Sequence, residues 1–435
     1  MHLPNSISRR HFVKCATAAV AAPTLIPRGV LADAGRPGAN DRIGVGFIGV
    51  GRRAGEIMKL PAEGQLVAAA DVYEGRAHAV AERFQARPFT HYRKLLELKD
   101  VDAVVIATPD HWRAIQCIHA CQAGKHIYAE KALTLTIKEG RAVCDAVKKH
   151  GIVFQTGSQQ RSMAPNRRAC ELIRNGALGK IEKVIGSNYP TSWRMNLPAE
   201  PVPEGLDWEQ WCGPAPLVPY HIDLYSPRRN PGWLSVWPYS GGEMTGWGAH
   251  GLDQIQWALG YDDGGPAEVW CEDGKYEMPV FDKPISRGEG DAMFKNKWKL
   301  HYLYPNGVEV VLDNGSGAGG IFIGEKGRIE IRRNAFTANP KELADVELPA
   351  DAIRLAESND HVGNWFDCMK SGTLPIANAE VGHRSTTVCH LGNIARWVGR
   401  RLKWDPVKEE FPGDDEANGH LDVPRRKGYE LPSLT

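Results

Sequence analysis

Apolar and polar positions change their spacing repeatedly along the first third of this chain. Ile43 to Ile48 is a short, mostly apolar run of strand character, which breaks at Gly49-Val50-Gly51-Arg52-Arg53-Ala54. Glu56-Ile57-Met58-Lys59-Leu60 then takes up helical spacing. The alternation continues through a strand at Leu66–Ala70, a helix over Ala77–Phe84, and a short Phe89-Thr90 piece leading into Tyr92-Leu95-Leu96. Val101 to Ala107 follows, then a helix Ile115–Ala123, a strand His126–Ala129, a helix Ile137–His150 and a last strand Ile152–Gln155. Val101–Ala107 is apolar almost throughout, as expected of a strand buried on both faces of a parallel sheet. The pattern predicts an α/β Rossmann domain, a doubly wound parallel sheet over 41–157, with its boundary near Gly157.

Beyond Gly157 the periodicity changes. A helix over Asn166–Ile173 closes at Gly176, and Gly179 introduces a strand over Ile181–Tyr189. From Thr191 to Tyr239 little periodicity is left, and the stretch holds five of the thirteen tryptophans: Trp193, Trp208, Trp211, Trp233 and Trp237. A loop this long is unusual unless it lines a site or builds an interface. A helix over Ala249–Leu259 precedes strands at Ala267–Cys271, Lys297–Tyr304, Val308–Asp313, Gly320–Ile323 and Arg328–Arg332. Tyr304-Pro305-Asn306-Gly307-Val308 reads as a hairpin turn. Helices over His361–Met369 and His383–Leu402 lead to a charged tail at 406–435. The expectation for 158–405 is an α+β domain with an open, mainly antiparallel sheet for substrate and oligomerisation. No internal repeat is visible.

Composition narrows the function classes. With 435 residues the chain holds two or three domains, and its net charge of +1 leaves no footprint for nucleic acid or a polybasic membrane contact. No internal apolar run approaches the roughly 20 residues of a membrane span. The nine cysteines lack any C-x-x-C spacing and are expected as buried thiols; the histidines show no zinc spacing, so no metal is expected. The first 34 residues differ in kind. Ser8-Arg9-Arg10-His11-Phe12-Val13-Lys14 precedes an apolar, alanine-rich stretch from Cys15 to Leu31, and Ala32-Asp33-Ala34 offers a cleavage site. This resembles a twin-arginine signal peptide and predicts periplasmic export; an unstructured cytoplasmic tail is the alternative. That route carries folded proteins, so a nucleotide enzyme using it is expected to leave with its cofactor bound.

The glycine stretch supplies the first chemistry. Strand, G-x-G-x-x-A turn and helix in this order form a dinucleotide-binding fingerprint. Gly49 permits the tight turn, Gly51 lets backbone approach a pyrophosphate, and Ala54 lets helix and strand pack closely. Asp71 ends the next strand 20 residues beyond Gly51, where a carboxylate takes the ribose hydroxyls. An acid there repels a 2′-phosphate, so NAD is expected rather than NADP.

Three further segments complete a pattern: Ala107-Thr108-Pro109-Asp110, Tyr128-Ala129-Glu130-Lys131-Ala132-Leu133, and Gly241-Gly242-Glu243-Met244-Thr245-Gly246-Trp247-Gly248-Ala249-His250-Gly251-Leu252-Asp253. With the fingerprint, they resemble the glucose-fructose oxidoreductase, inositol dehydrogenase and rhizopine-catabolism (Gfo/Idh/MocA) family over about residues 41–405. The resemblance implies cofactor contacts at Gly49, Gly51, Arg52, Ala54, Asp71, Thr108, Pro109, His111 and Glu130. It also implies catalytic roles for Lys131, which holds the reacting hydroxyl, and His250, which takes its proton. Hydride loss from a secondary alcohol needs both a proton acceptor and a charge that steadies the oxygen. Arg161 matches a polar segment on the substrate side. The tryptophans from Trp193 to Trp237 offer either sugar-stacking platforms or core packing.

Two positions depart from the family pattern. Ala132 stands where the family has proline, often in a cis bond; because a cis bond before other residues costs about 3 kcal/mol, the turn is expected to be rebuilt. Gly246 stands where the family has an aspartate four residues before the histidine. Asp253, Asp223, Tyr239 and His221 are the candidates to replace it. The resemblance implies an exported oxidoreductase acting on a sugar or cyclic polyol and assembling into a homo-oligomer through its C-terminal sheet. A redox-assisted glycosidase and a cofactor-loaded sensor remain as alternatives.

Overall fold

The computed structural model describes residue 38 and residues 41–433, so the leader falls outside the described residues. Strands β1 (Ile43–Ile48), β2 (Gly64–Ala70), β3 (Arg87–Phe89), β4 (Ala103–Ile106), β5 (His126–Ala129) and β6 (Phe154–Thr156) form one parallel sheet in the order β3-β2-β1-β4-β5-β6. That order reverses direction between β1 and β4. The carboxyl ends of the strands there open a crevice, the usual ligand position in such sheets.

One face of the sheet is covered as the pattern predicts. Helices Asp110–Gln122 and Ile137–His150 bury Ile118, Cys121 and Val143 against Val104, Ile106 and Phe154. On the other face, Ala54 and Ile57 of the short Arg52–Ile57 helix join a layer completed from far along the chain. Trp365 and Phe366, on helix His361–Ser371, are fully buried against Phe47, Val105 and Tyr128. The junction is polar as well as apolar: Gln155 Nε2 donates to the His361 carbonyl at 2.9 Å.

The second sheet adds β7 (Ile181–Ser187), β9 (Glu268–Cys271), β11 (Leu300–Leu303), β12 (Glu309–Asp313), β13 (Ile321–Gly324), β14 (Gly327–Arg332), β15 (Ala335–Asn339) and β16 (Leu402–Lys403). A separate pair, β8 (Arg194–Met195) and β10 (Val280–Phe281), lies outside it. The order is β15-β14-β13-β7-β12-β11-β9-β16; only β7 and β12 run parallel. Helices Ala164–Arg174, Gly248–Leu259 and Ala379–Val398 pack their apolar sides on one face. The opposite face stays polar: His301 bridges Glu309 and Glu272 at 2.6 and 2.7 Å and stacks on Trp270. Residues 406–435, read from sequence as a tail, turn back onto the body: Phe411, Ala417 and Leu421 enter the second core, and Arg425 pairs with Glu139 at 2.9 Å. All eight cysteines of the described residues are free and buried.

Candidate functional site

A cleft with about 480 Å³ of solvent space opens at the carboxyl edge of the first sheet and runs toward the helix that begins at Gly248. Its near end is the glycine turn. Gly49 adopts φ +79°, and a Cβ there would lie 2.7 Å from the Thr108 methyl, so only glycine lets β1 turn against the Thr108 loop. At Gly51 nothing lies closer than 3.9 Å to such a Cβ, which leaves its backbone open to the cleft. The Asp71 carboxylate accepts from the N–H groups of Val50 and Tyr73, both at 2.9 Å, and so holds the turn against the end of β2. Burial raises its carboxyl above the usual range. A bare glycine approach with a fixed carboxylate beyond it fits a dinucleotide: Gly49 and Gly51 would hold its pyrophosphate and Asp71 its ribose.

The far end is assembled from segments more than a hundred residues apart. Glu130 Oε1 accepts from Arg53 Nε at 2.9 Å and Gln159 Nε2 at 3.0 Å. The Lys131–Ala132 bond is cis, so the turn is kept with alanine rather than rebuilt. Arg113 ties this turn to the neighbouring strand end, donating to the carbonyls of Ala132 and, at 2.6 Å, Thr108 while pairing with Asp110 at 3.1 Å. The other Asp110 oxygen accepts from Ser240 Oγ at 2.8 Å, which brings in the Gly241–His250 segment. There Gly242 turns at φ +81°, and a Cβ would strike the Thr191 backbone at 2.4 Å. Lys131 and His250 thus line one cleft, close enough that the lysine charge lowers the basicity of the imidazole. Burial is the larger cause, and together these hold His250 well below the ordinary histidine range.

Of the residues expected at the cofactor, Gly49, Gly51, Arg52, Asp71, Thr108, Pro109 and Glu130 line the cleft. Ala54 lies beneath it, fully buried, as the close-packed third position. His111 does not reach it. The helix begins at Asp110, earlier than its apolar spacing indicates, and this turns the His111 ring inward onto the carbonyls of Trp211 (2.9 Å) and Tyr239 (3.4 Å).

The expected substrate residues are also placed elsewhere. Arg161 and Asp253 consume each other: Nε lies 2.9 and 3.1 Å from the two Asp253 oxygens, Ser385 donates to one of them at 2.7 Å, and both side chains are at most 2 % exposed. Complementary charges inside a core pair rather than face a ligand. Tyr239 donates to the Pro216 carbonyl at 2.9 Å within the aromatic cluster of Trp208 and Trp211. His221 caps a short helix and Asp223 pairs with Arg229 at 3.0 Å; neither lines the cleft. Arg161 keeps its second partner, Asp262 at 2.8 Å, when Asp253 is removed, so Asp253→Ala is expected to cost about 1–3 kcal/mol in urea unfolding, from the lost buried pair and the orphaned Ser385 hydroxyl. A loss under 1 kcal/mol would contradict this placement.

What fills the gap at Gly246 is Glu243. A Cβ on residue 246 would lie 2.8 Å from Glu243 Oε2, and that oxygen pairs with Arg228 at 3.2 Å. Arg53, Arg76, Trp211, Arg228, Trp233, Trp247 and Arg333 also line the cleft. Sequence reasoning missed the arginines, and only the Glu243-to-Gly246 spacing of one helical turn signalled any of this. Trp211 and Trp233 are the members of the tryptophan-rich stretch that reach the cleft, whereas Trp193 is core.

Two family models match the chain: residues 43–158 match one described as "Oxidoreductase family, NAD-binding Rossmann fold", and residues 167–431 one described as "Oxidoreductase family, C-terminal alpha/beta domain". Levoglucosan dehydrogenase of Pseudarthrobacter phenanthrenivorans is 37 % identical over 113 residues, 24 % of this chain and 29 % of the relative. The scyllo-inositol 2-dehydrogenase (NAD(+)) of Bacillus subtilis is 32 % identical over 143 residues, 32 % of this chain and 40 % of the relative. The chain thus spans less than half the length of these two relatives. The aldose-aldose oxidoreductase of Caulobacter crescentus, solved with glycerol, shares the fold at a TM-score of 0.56 and 19 % identity, over 83 % of this chain and 99 % of that one.

Proposed function

From the premise that this chain belongs to the glucose-fructose oxidoreductase, inositol dehydrogenase and rhizopine-catabolism family of oxidoreductases, we propose that it transfers hydride between NAD and a secondary hydroxyl of a sugar or cyclic polyol. The observation that carries this reading is the meeting of Lys131 and His250 at the end of the cleft that begins at Gly49 and Asp71. The dinucleotide, when bound, supplies the hydride acceptor or donor. Everything else falls to the chain. His250 accepts the hydroxyl proton, Lys131 holds the oxygen and offsets its developing charge, and Trp211 and Trp233 offer aromatic faces to the ring. The twin-arginine-like leader supports export with the nucleotide retained, and the open face of the second sheet is the proposed contact between copies.

Denaturing release of nucleotide from the purified full chain tests the cofactor part. About one NAD per chain is expected, and a chain that neither carries nor binds nucleotide sinks the reading. His250→Ala is expected to lower kcat by about a hundredfold or more with nucleotide content unchanged. Because burial and Lys131 hold the imidazole neutral, the wild-type rate should stay level as pH falls through 6.5, where an ordinary histidine would already be protonated. Release of an aglycone without net redox would instead mark the glycosidase reading, and sugar binding without turnover the sensor reading.

A further inference from the structure

The reacting end of the cleft carries more positive charge than alcohol oxidation requires. Lys131, Arg228 and Arg333 reach it from three separate segments. The permanently charged groups that act most on His250 are basic: Lys131, Arg333 and Arg53. Arg53 is neutralised by Glu130 and Glu56. Arg333, exposed on the turn between β14 and β15, makes no ion pair among the described residues.

Arg228 is held in place from behind. The absence of a side chain at Gly246 leaves room for Glu243, whose carboxylate is 4 % exposed and pairs with Arg228 at 3.2 Å and Arg287 at 3.4 Å. Trp247 lies under the guanidinium at 5.8 Å. Arg287 also has Asp291 at 3.6 Å, so Glu243 serves chiefly to fix Arg228, whose buried Nε has no hydrogen-bond partner. A guanidinium backed by an acid and an aromatic ring is preorganised to bind a planar or tetrahedral anion. A neutral sugar would leave Arg333 without a counter-charge and the open side of the Arg228 guanidinium unused.

We propose that the substrate is an anionic sugar, whose carboxylate or phosphate is bound by Arg228 and Arg333 beside Gly246. This rests on the reading of the cleft as a sugar-oxidising site and deepens it. The same Gly246 that removes the family's carboxylate thereby makes room for a cationic subsite.

The test is calorimetric binding and initial rates on the NAD-loaded full chain, with matched sets of a hexose, its hexuronate and its 6-phosphate. At least one anionic member is expected to bind about tenfold tighter than its neutral parent, with affinity that falls as salt rises. The preferred arm identifies carboxylate or phosphate. Arg228→Gln and, separately, Arg333→Gln should remove most of that preference, read as the ratio of anion to parent-hexose affinity on the same variant. Arg333 is exposed, so its variant keeps the test valid if Arg228→Gln fails to fold. Equal or weaker binding of every anion, or variants that weaken hexose and anion alike, would overturn the proposal. Turnover of the neutral hexose in that case would leave the oxidoreductase reading standing; retained nucleotide with no turnover of any sugar would remove both.

Discussion

Lys131→Met is expected to lower kcat by about a hundredfold to a thousandfold while the chain keeps its nucleotide. Methionine matches the length of the lysine stem and keeps its packing; what it removes is the ammonium. That ammonium makes no side-chain hydrogen bond among the described residues, so no structural contact is lost with it. The energetic loss therefore falls on the transition state, where preorganised charge beside a developing alkoxide is worth about 2.7–4 kcal/mol. Burial lowers the lysine's own pKa, against the pull of Glu130 and Asp110. A second readout separates this from general damage. With one of its positive neighbours gone, His250 should bind a proton more readily, and the acid limb of the rate profile should move to higher pH. Turnover within threefold of wild type would remove Lys131 from the reacting centre.

Acidification from pH 7 to 4.5 should destabilise the fold steeply. His111, His361 and His390 are buried and neutral, each pushed down to about 4 chiefly by burial. Each donates a bond that joins the two halves: His361 to the Thr156 carbonyl at 2.8 Å, His390 to that of Thr134 at 3.0 Å, and His111 to that of Trp211. An unfolded histidine titrates near 6.5, so below that value the unfolded chain binds more protons than the folded one. The stabilisation is complete above about pH 6.5 and is lost progressively as pH falls toward 4. Each group contributes a slope of about 1.4 kcal/mol per pH unit, so three acting together give roughly 4. Asp71 and Glu139, whose buried carboxyls are raised, act in the opposite sense and soften the lower end. Urea midpoints at pH 7, 6 and 5 check the slope. Midpoints that coincide would mean that these rings are solvated.

The early elements were legible because each rests on neighbours in sequence. The alternation of Val101–Ala107 with helices gives a parallel sheet, and Gly49, Gly51 and Asp71 need only a strand, a turn and the next strand to acquire meaning. The Asp110 helix start was less legible: its first turn carries functional polar residues rather than apolar spacing, so His111 looked like a loop ligand. For Arg161 and Asp253 the difficulty was greater. A charged residue in a site and one in a buried pair look alike until the partner, 92 positions away, is known.

The pairing of a strand-end lysine with a histidine beyond a glycine-rich segment was implied by the family resemblance, whereas the sequence by itself determined the two-domain architecture and the nucleotide turn. These follow from local periodicity and from the backbone freedom of glycine, which act over a few residues. Tertiary structure alone decided that Trp365 and Phe366 close the first sheet, that Arg113 ties two strand ends together, and that Arg228 faces the cleft over Glu243. Those outcomes depend on which distant charges and apolar faces meet. Burial then forces each polar group to find a partner or to stay exposed to a ligand.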